Sequence, residues 1–174
     1  MRTFKKIRSN FDSLEEVGLF LQIFLLITIL PLLVKLMTVP KLMKILTPKK
    51  SKLNGKCDLD EIKNKIEKYT LYILSRDFWI YKNICLKRSL VLYHFLRKYG
   101  IYVTVCFGVR YKNERSHGTA EKKMEGHAWL LYKGDIFLEK NVEETKTYKK
   151  TYCYPEIKDD VKEKGFIAGS EGLM

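Results

Sequence analysis

The sequence is short of acid and short of histidine. It holds 33 Lys+Arg against 20 Asp+Glu, a formal net charge of +13, and three histidines, at positions 94, 117 and 127. Its four cysteines, at 57, 85, 106 and 153, form no C-x-x-C pair and no Cys/His spacing of the zinc type. That excludes the common structural zinc frameworks. No helix-turn-helix, RNP or zinc-finger pattern accompanies the basic charge, and charge alone is a poor warrant for nucleic acid. The basic excess is compatible with an anionic membrane surface, an acidic peptide, or lysines that simply fill solvated positions. No nucleotide motif is visible, so no cofactor is expected in this chain. There is no internal repeat and no clear cleavage site of a signal peptide. Scattered cysteines without such a signal point to a reducing cytoplasm, with a disulfide pair left open.

What is abundant is apolar. Of the 174 residues, 46% are hydrophobic and 13% aromatic, enough for a packed core in one domain-sized chain. From Val17 to Val34, "VGLFLQIFLLITILPLLV", no residue is charged. This run sits at the lower edge of the length that crosses a bilayer, and Gln22, Thr28 and Pro31 interrupt it. Three readings compete: a signal peptide, which should have a shorter apolar region and a small-residue cleavage site; a transmembrane span; and a helix buried against the domain or lying in the membrane interface. Membrane association is therefore expected, if present, through residues 17–37. The following "VPKLMKILTPKK" reads as a short amphipathic piece, with Val39, Leu42, Met43, Ile45 and Leu46 interleaved with Lys41 and Lys44. Residues 1–56 are thus expected to form a hydrophobic helical region and 57–174 the main domain.

Past a loop at 47–57, Asp58 is a candidate N-cap, with Glu61 three residues on as in a capping box. The stripe Leu59, Ile62, Ile66, Tyr69, Ile73 predicts a helix from about Leu59 to Ser75. "RDFWIYKN" (76–83) reads as a connector with aromatic anchors. A second helix is predicted from Cys85 to Gly100, with Gly100 at the C′ position and Arg97 and Lys98 in the last turn. "IYVTVCFGVRY" (101–111) predicts a strand, and 112–126 a long charged loop of lid type. "HAWLLYK" (127–133) and "IFLEK" (136–140) predict two further strands around a Gly134-Asp135 turn. The tail from Val142 is predicted to be peripheral and disordered toward its end. Two helices followed by an antiparallel meander make an α+β domain.

Cys85 is the candidate nucleophile. A small apolar core residue would normally sit in mid-helix. Cys85 instead falls in a first helical turn, where unpaired N–H groups and the helix dipole favour thiolate, with Lys87 and Arg88 beside it. A thiolate needs a base, and the base needs an orienting partner. His94 lies inside the helix on the face opposite Cys85 and reads as structural; His117 lies in the charged loop. His127 opens a strand, with Trp129 on the same face as a backing wall. Taken alone, His127 reads more readily as a half-buried strand residue than as a base. The third member is expected from the returning strand: Glu139, preferred over Asp135, whose turn position explains it through backbone chemistry. Arg88 and Ser89 read as ordinary helix packing and surface charge.

A cysteine at a helix start, then a histidine and an acid on successive strands, is the arrangement of the papain/transglutaminase-like fold. "CLKRSLVLYHFLRKYGIYVTVCFGVR" followed by "GHAWLLYKGDIFLE" resembles the transglutaminase-like leader peptidases of lasso-peptide biosynthesis, the B proteins. The similarity rests on Cys-Leu-x-Arg-Ser-Leu, Gly-Ile after the helix, Phe-Gly-Val-Arg, and His-Ala-Trp with a following Gly and acid. The apolar region ending "VPKLMKILTP" also resembles that family's N-terminal helices, so the likeness covers about residues 15–140. Many members carry a winged-helix recognition domain ahead of the protease; this chain resembles the split form, whose recognition module is a separate protein. Its acid is Glu where some members have Asp.

The resemblance implies an α+β domain with N-terminal helices and a nucleophile at a helix N-terminus packed on an antiparallel sheet. It implies a Cys85–His127–Glu139 triad cutting a precursor's leader peptide. Its implied partners are that leader, a separate recognition protein and a lasso cyclase through which activity is ATP-linked. The alternatives are a transglutaminase-like acyltransferase and a non-catalytic, membrane-associated peptide-binding scaffold.

Overall fold

The computed structural model describes residues 13–49, 58–75, 84–116 and 119–156. In chain order they form helices α1 (Leu14–Leu36), α2 (Val39–Leu46), α3 (Leu59–Leu74) and α4 (Ile84–Lys98). Strands β1 (Thr104–Ser116), β2 (Thr119–Tyr132) and β3 (Asp135–Phe137) follow, then a short helix α5 (Val142–Lys146) and strand β4 (Lys149–Tyr154). The sheet is antiparallel with order β3-β2-β1-β4. The connector at 76–83, His117 and the chain beyond Glu156 lie outside the described residues.

Helix ends follow the local chemistry. Asp58 accepts a hydrogen bond from the Asp60 N–H at 3.0 Å, as an N-cap should. Glu61 does not close a capping box but pairs with Lys65 one turn on, at 2.5 Å. Helix α4 stops in a full Schellman arrangement: Ile101 N–H donates to the Leu96 carbonyl and Gly100 N–H to that of Arg97. This needs Gly100 at φ 84°, a conformation that costs glycine nothing.

Two of the sequence expectations for strands are corrected. Residues 112–116 and 119–126 are strand, not loop. The β1–β2 ladder runs without a break from Thr104↔Leu131 to Ser116↔Thr119. Apolar alternation reports burial of one face, not backbone pairing, so a polar extension of an established ladder carries no such signal. As far as Glu156, the tail is not peripheral either. Asn141 caps α5 through its side-chain oxygen, and β4 pairs beside β1 with Cys106 opposite Cys153. These two cysteines form a disulfide.

The main core lies between the helices and one sheet face. Ile23, Ile27, Leu30, Met43, Ile66, Leu90, Leu96 and Val105 are wholly buried there, with Leu130 nearly so. Helix α1 therefore packs on the domain through one stripe. It is also the one described helix long and apolar enough to cross a membrane. A smaller cluster, Cys106, Trp129 and Leu131, occupies the opposite sheet face.

Gly108 lies opposite His127 in the β1–β2 register. A Cβ there would stand 2.7 Å from both the Trp129 ring and the Lys149 carbonyl. The indole and β4 close over this point only because position 108 has no side chain. Gly108→Ala is expected to lower stability by about 1–3 kcal/mol, as for overpacking of a core. A denaturant titration of wild type and variant gives the value, and an unchanged midpoint would contradict the contact.

Candidate active site

The start of α4 and the middle of β2 meet in a cleft; His127 does not open its strand, as the sequence suggested, but is its ninth residue. Its walls are Leu71 and Ile84 on one side and the α5 region, from Lys140 to Tyr148, on the other. Its volume is about 370 Å³. Cys85, Arg88, His127 and Glu139 line it.

Cys85 sits in the first turn of α4, half-buried and not disulfide-bonded. A hydrogen bond from His127 holds its pKa below the ordinary thiol value; burial opposes this, and the His127 charge and the N–H groups of Ala128 and Leu86 assist. The same contact acts on the partner. The Cys85 hydrogen bond, and then Glu139, push the His127 pKa up to about 9, against the effect of burial. Each group thus favours the charged form of the other, which is the condition for a thiolate–imidazolium pair near neutrality.

The imidazole is held on its faces as well as its edge. It stacks on Trp129 with ring centroids 5.9 Å apart and lies 5.0 Å from Tyr148. Trp129 is buried and so acts as a wall behind the histidine. Tyr148, between α5 and β4, comes from the tail for which the sequence suggested no role. Its ring also carries the Arg110 guanidinium at 4.4 Å, and Arg110 bonds Glu144 of α5 at 2.7 Å.

Glu139 reaches the site by a different route from the expected one. The third strand ends at Phe137, and Leu138 turns at φ 55°, so Glu139 is not a ladder residue. The turn brings its carboxylate inward, where the side chain is 8% exposed and Oε2 lies 3.8 Å from His127 Nε2. The other oxygen accepts a 2.8 Å hydrogen bond from Arg88 Nη1. Sequence reasoning placed Arg88 and Ser89 in ordinary packing, yet both serve the site. Arg88, one turn after Cys85, fixes the carboxylate. Ser89 Oγ donates to the Ala128 carbonyl at 2.8 Å, tying α4 to the residue next to His127. The i, i+3 spacing of Cys85 and Arg88 was the available signal: it puts both on one helix face.

His94 is apart from this group. Its Nδ1–H donates to the Leu46 carbonyl at 2.8 Å, which joins α4 to the end of α2.

Two outcomes follow from this geometry. The rate of Cys85 alkylation by iodoacetamide should rise with pH at a midpoint below the ordinary thiol range, with a second inflection near pH 9 as His127 loses its proton. In His127→Ala the midpoint should move up to that of an ordinary cysteine; an unmoved midpoint would refute the coupling. Arg88→Met removes one partner of a buried pair and should cost about 3–5 kcal/mol in unfolding free energy, with Arg88→Met/Glu139→Leu recovering most of it.

A family model described as the Transglutaminase-like superfamily matches residues 30–153, which takes in α2–α5, all of the sheet but its last residue, and the whole cleft. No curated protein matches, and no solved structure matches. With helices and a four-stranded antiparallel sheet of α+β type, matched over well over half its length, the chain belongs to the transglutaminase-like superfamily.

Proposed function

We propose that the protein is a cysteine peptidase that removes the leader from a ribosomally made lasso-peptide precursor. The observation that carries the enzymatic part is that Cys85, His127 and Glu139 line one open cleft, where thiol and imidazole each favour the charged form of the other. The lasso-specific part rests on the likeness of the Cys-Leu-x-Arg-Ser-Leu and His-Ala-Trp stretches to the B proteins.

In this reading the Cys85 thiolate attacks the scissile carbonyl carbon. The carbonyl oxygen becomes an oxyanion facing the Cys85 backbone N–H and one further donor. The bond to nitrogen breaks as His127 gives its proton to the departing amine, leaving an acyl-enzyme. His127 then takes a proton from water, whose oxygen attacks the acyl carbon and releases the carboxylate and the free thiolate. Glu139 keeps the imidazole oriented, and Arg88 keeps Glu139 in place.

The partners in this reading are the leader peptide, a separate leader-recognition protein and the cyclase, with any ATP dependence belonging to the cyclase. The net charge of +13 suits the steering of an acidic leader or its carrier. The setting is the cytoplasm, where the precursor is made, with membrane contact through residues 17–37. The Cys106–Cys153 bond pulls against that setting, because cytosolic disulfides are rare.

The experiment is incubation of the full chain with precursor and recognition protein, read by mass. Two fragments with a new free amine, lost by at least about 10³-fold in Cys85→Ala, fit the peptidase. An isopeptide product identifies an acyltransferase instead. Full pathway function in Cys85→Ala identifies a scaffold and overturns the proposal.

A further inference from the structure

Among the described residues, nothing packs over the outer face of α1. Glu16, Leu19, Ile23, Ile27 and Leu30 point into the domain. Half a turn round, Leu21, Phe24, Leu25, Ile29, Leu32 and Leu36 point out, with Leu25 58% and Leu36 69% exposed. A helix on the surface of a water-soluble domain carries polar residues there. Single exposed leucines are ordinary, but a strip of six apolar residues, interrupted by Thr28 whose hydroxyl is turned onto the Phe24 carbonyl, marks a surface that something covers.

The charge around the strip says what suits it. No Asp or Glu occurs between Glu16 and Asp58. Over that stretch the exposed side chains include Lys35, Lys41 and Lys44, with Val39 and Ile45 of α2 extending the apolar surface. Apolar side chains whose charged neighbours over this stretch are lysines fit acyl chains beneath anionic headgroups. An upright span is excluded by what lies along the inner flank. Lys65 and the Tyr69 hydroxyl bond Glu16, and Lys98 Nζ bonds the Gln22 amide oxygen at 2.5 Å. Standing α1 across a bilayer would drag these groups and the polar faces of α3 and α4 into hydrocarbon.

We propose that α1 lies in the plane of an anionic membrane's interface, with its outer strip among the acyl chains and Lys35, Lys41 and Lys44 on the headgroups. The proposal deepens the membrane contact named above and is independent of the peptidase chemistry.

Flotation of the full chain with vesicles tests it. Vesicles of phosphatidylcholine mixed with phosphatidylglycerol should carry the protein up, and phosphatidylcholine alone should carry far less. Leu25→Glu/Leu32→Glu should abolish flotation. Lys35→Ala, Lys41→Ala and Lys44→Ala should each weaken binding about fivefold and flatten its salt dependence. All five side chains face away from the core, so the melting temperature should hold; should the glutamate variant fail to fold, the lysine variants still decide the matter. Orientation is read with a membrane-impermeant maleimide on Ser13→Cys and Thr38→Cys, in a chain lacking Cys57 and Cys85. Labelling of both ends supports the in-plane helix. Protection of one end means a span and overturns it. A chain that stays unfloated, or that light scattering shows to hide the strip in a dimer, overturns it as well.

Discussion

The seating of α4 on β2 is the constraint from which the rest of the site follows. Two polar contacts set it inside an apolar interface. Ser89 Oγ meets the Ala128 carbonyl, and Arg88 meets the buried Glu139 carboxylate. One turn before Arg88 on the same helix stands Cys85; one residue before Ala128 on the same strand stands His127. A rotation of α4 by a single residue would turn the thiol by about 100° and separate it from the imidazole. Leu90, Val91, Leu92, Tyr93 and Leu96, all essentially without solvent exposure, hold the helix against that rotation. Packing and chemistry are thus one problem here.

Charge burial sharpens the arrangement. Arg88 and the Glu139 side chain are both about nine-tenths buried, and each alone would be costly to hide from water. Together they form a pair with one carboxylate oxygen left over, and that oxygen faces the histidine. The imidazole is also flanked by Trp129 of its own strand and by Tyr148 from the segment between α5 and β4. Such side support limits its rotation, which a hydrogen bond to a single carboxylate would not do. The segment after β3 is therefore part of the site's wall. It supplies Glu139 by a left-handed turn at Leu138, then α5, then Tyr148, and closes by pairing β4 with β1.

The N-terminal helices bind to the same core by one stripe and present a second apolar surface outward. A sequence apolar on all sides satisfies both demands at once, which is why its pattern alone fits a buried helix, an interfacial helix and a span equally well. Polar side chains from α3 and α4 also dock along α1: the Tyr69 hydroxyl donates to the buried Glu16 carboxylate, and Lys98 donates to the exposed Gln22 amide oxygen.

The chain itself determined the local elements whose information is short-range. The helix over 59–74 declares itself by apolar spacing and the Asp58 cap; α4 declares its end by Gly100, because only the left-handed C′ position demands that residue there. The candidate nucleophile and histidine were legible too, since a cysteine in a first turn and a histidine before an aromatic strand residue are local patterns. Tertiary structure alone decided what depends on distant neighbours. It extended a polar ribbon into strand by an inherited ladder, drew the tail into the sheet beside Cys106, and gave Arg88 a carboxylate 51 positions away to hold. The physical reason is common to all three. Backbone pairing and buried charge are satisfied by partners across the fold, and a window of sequence contains only one side of each such contact.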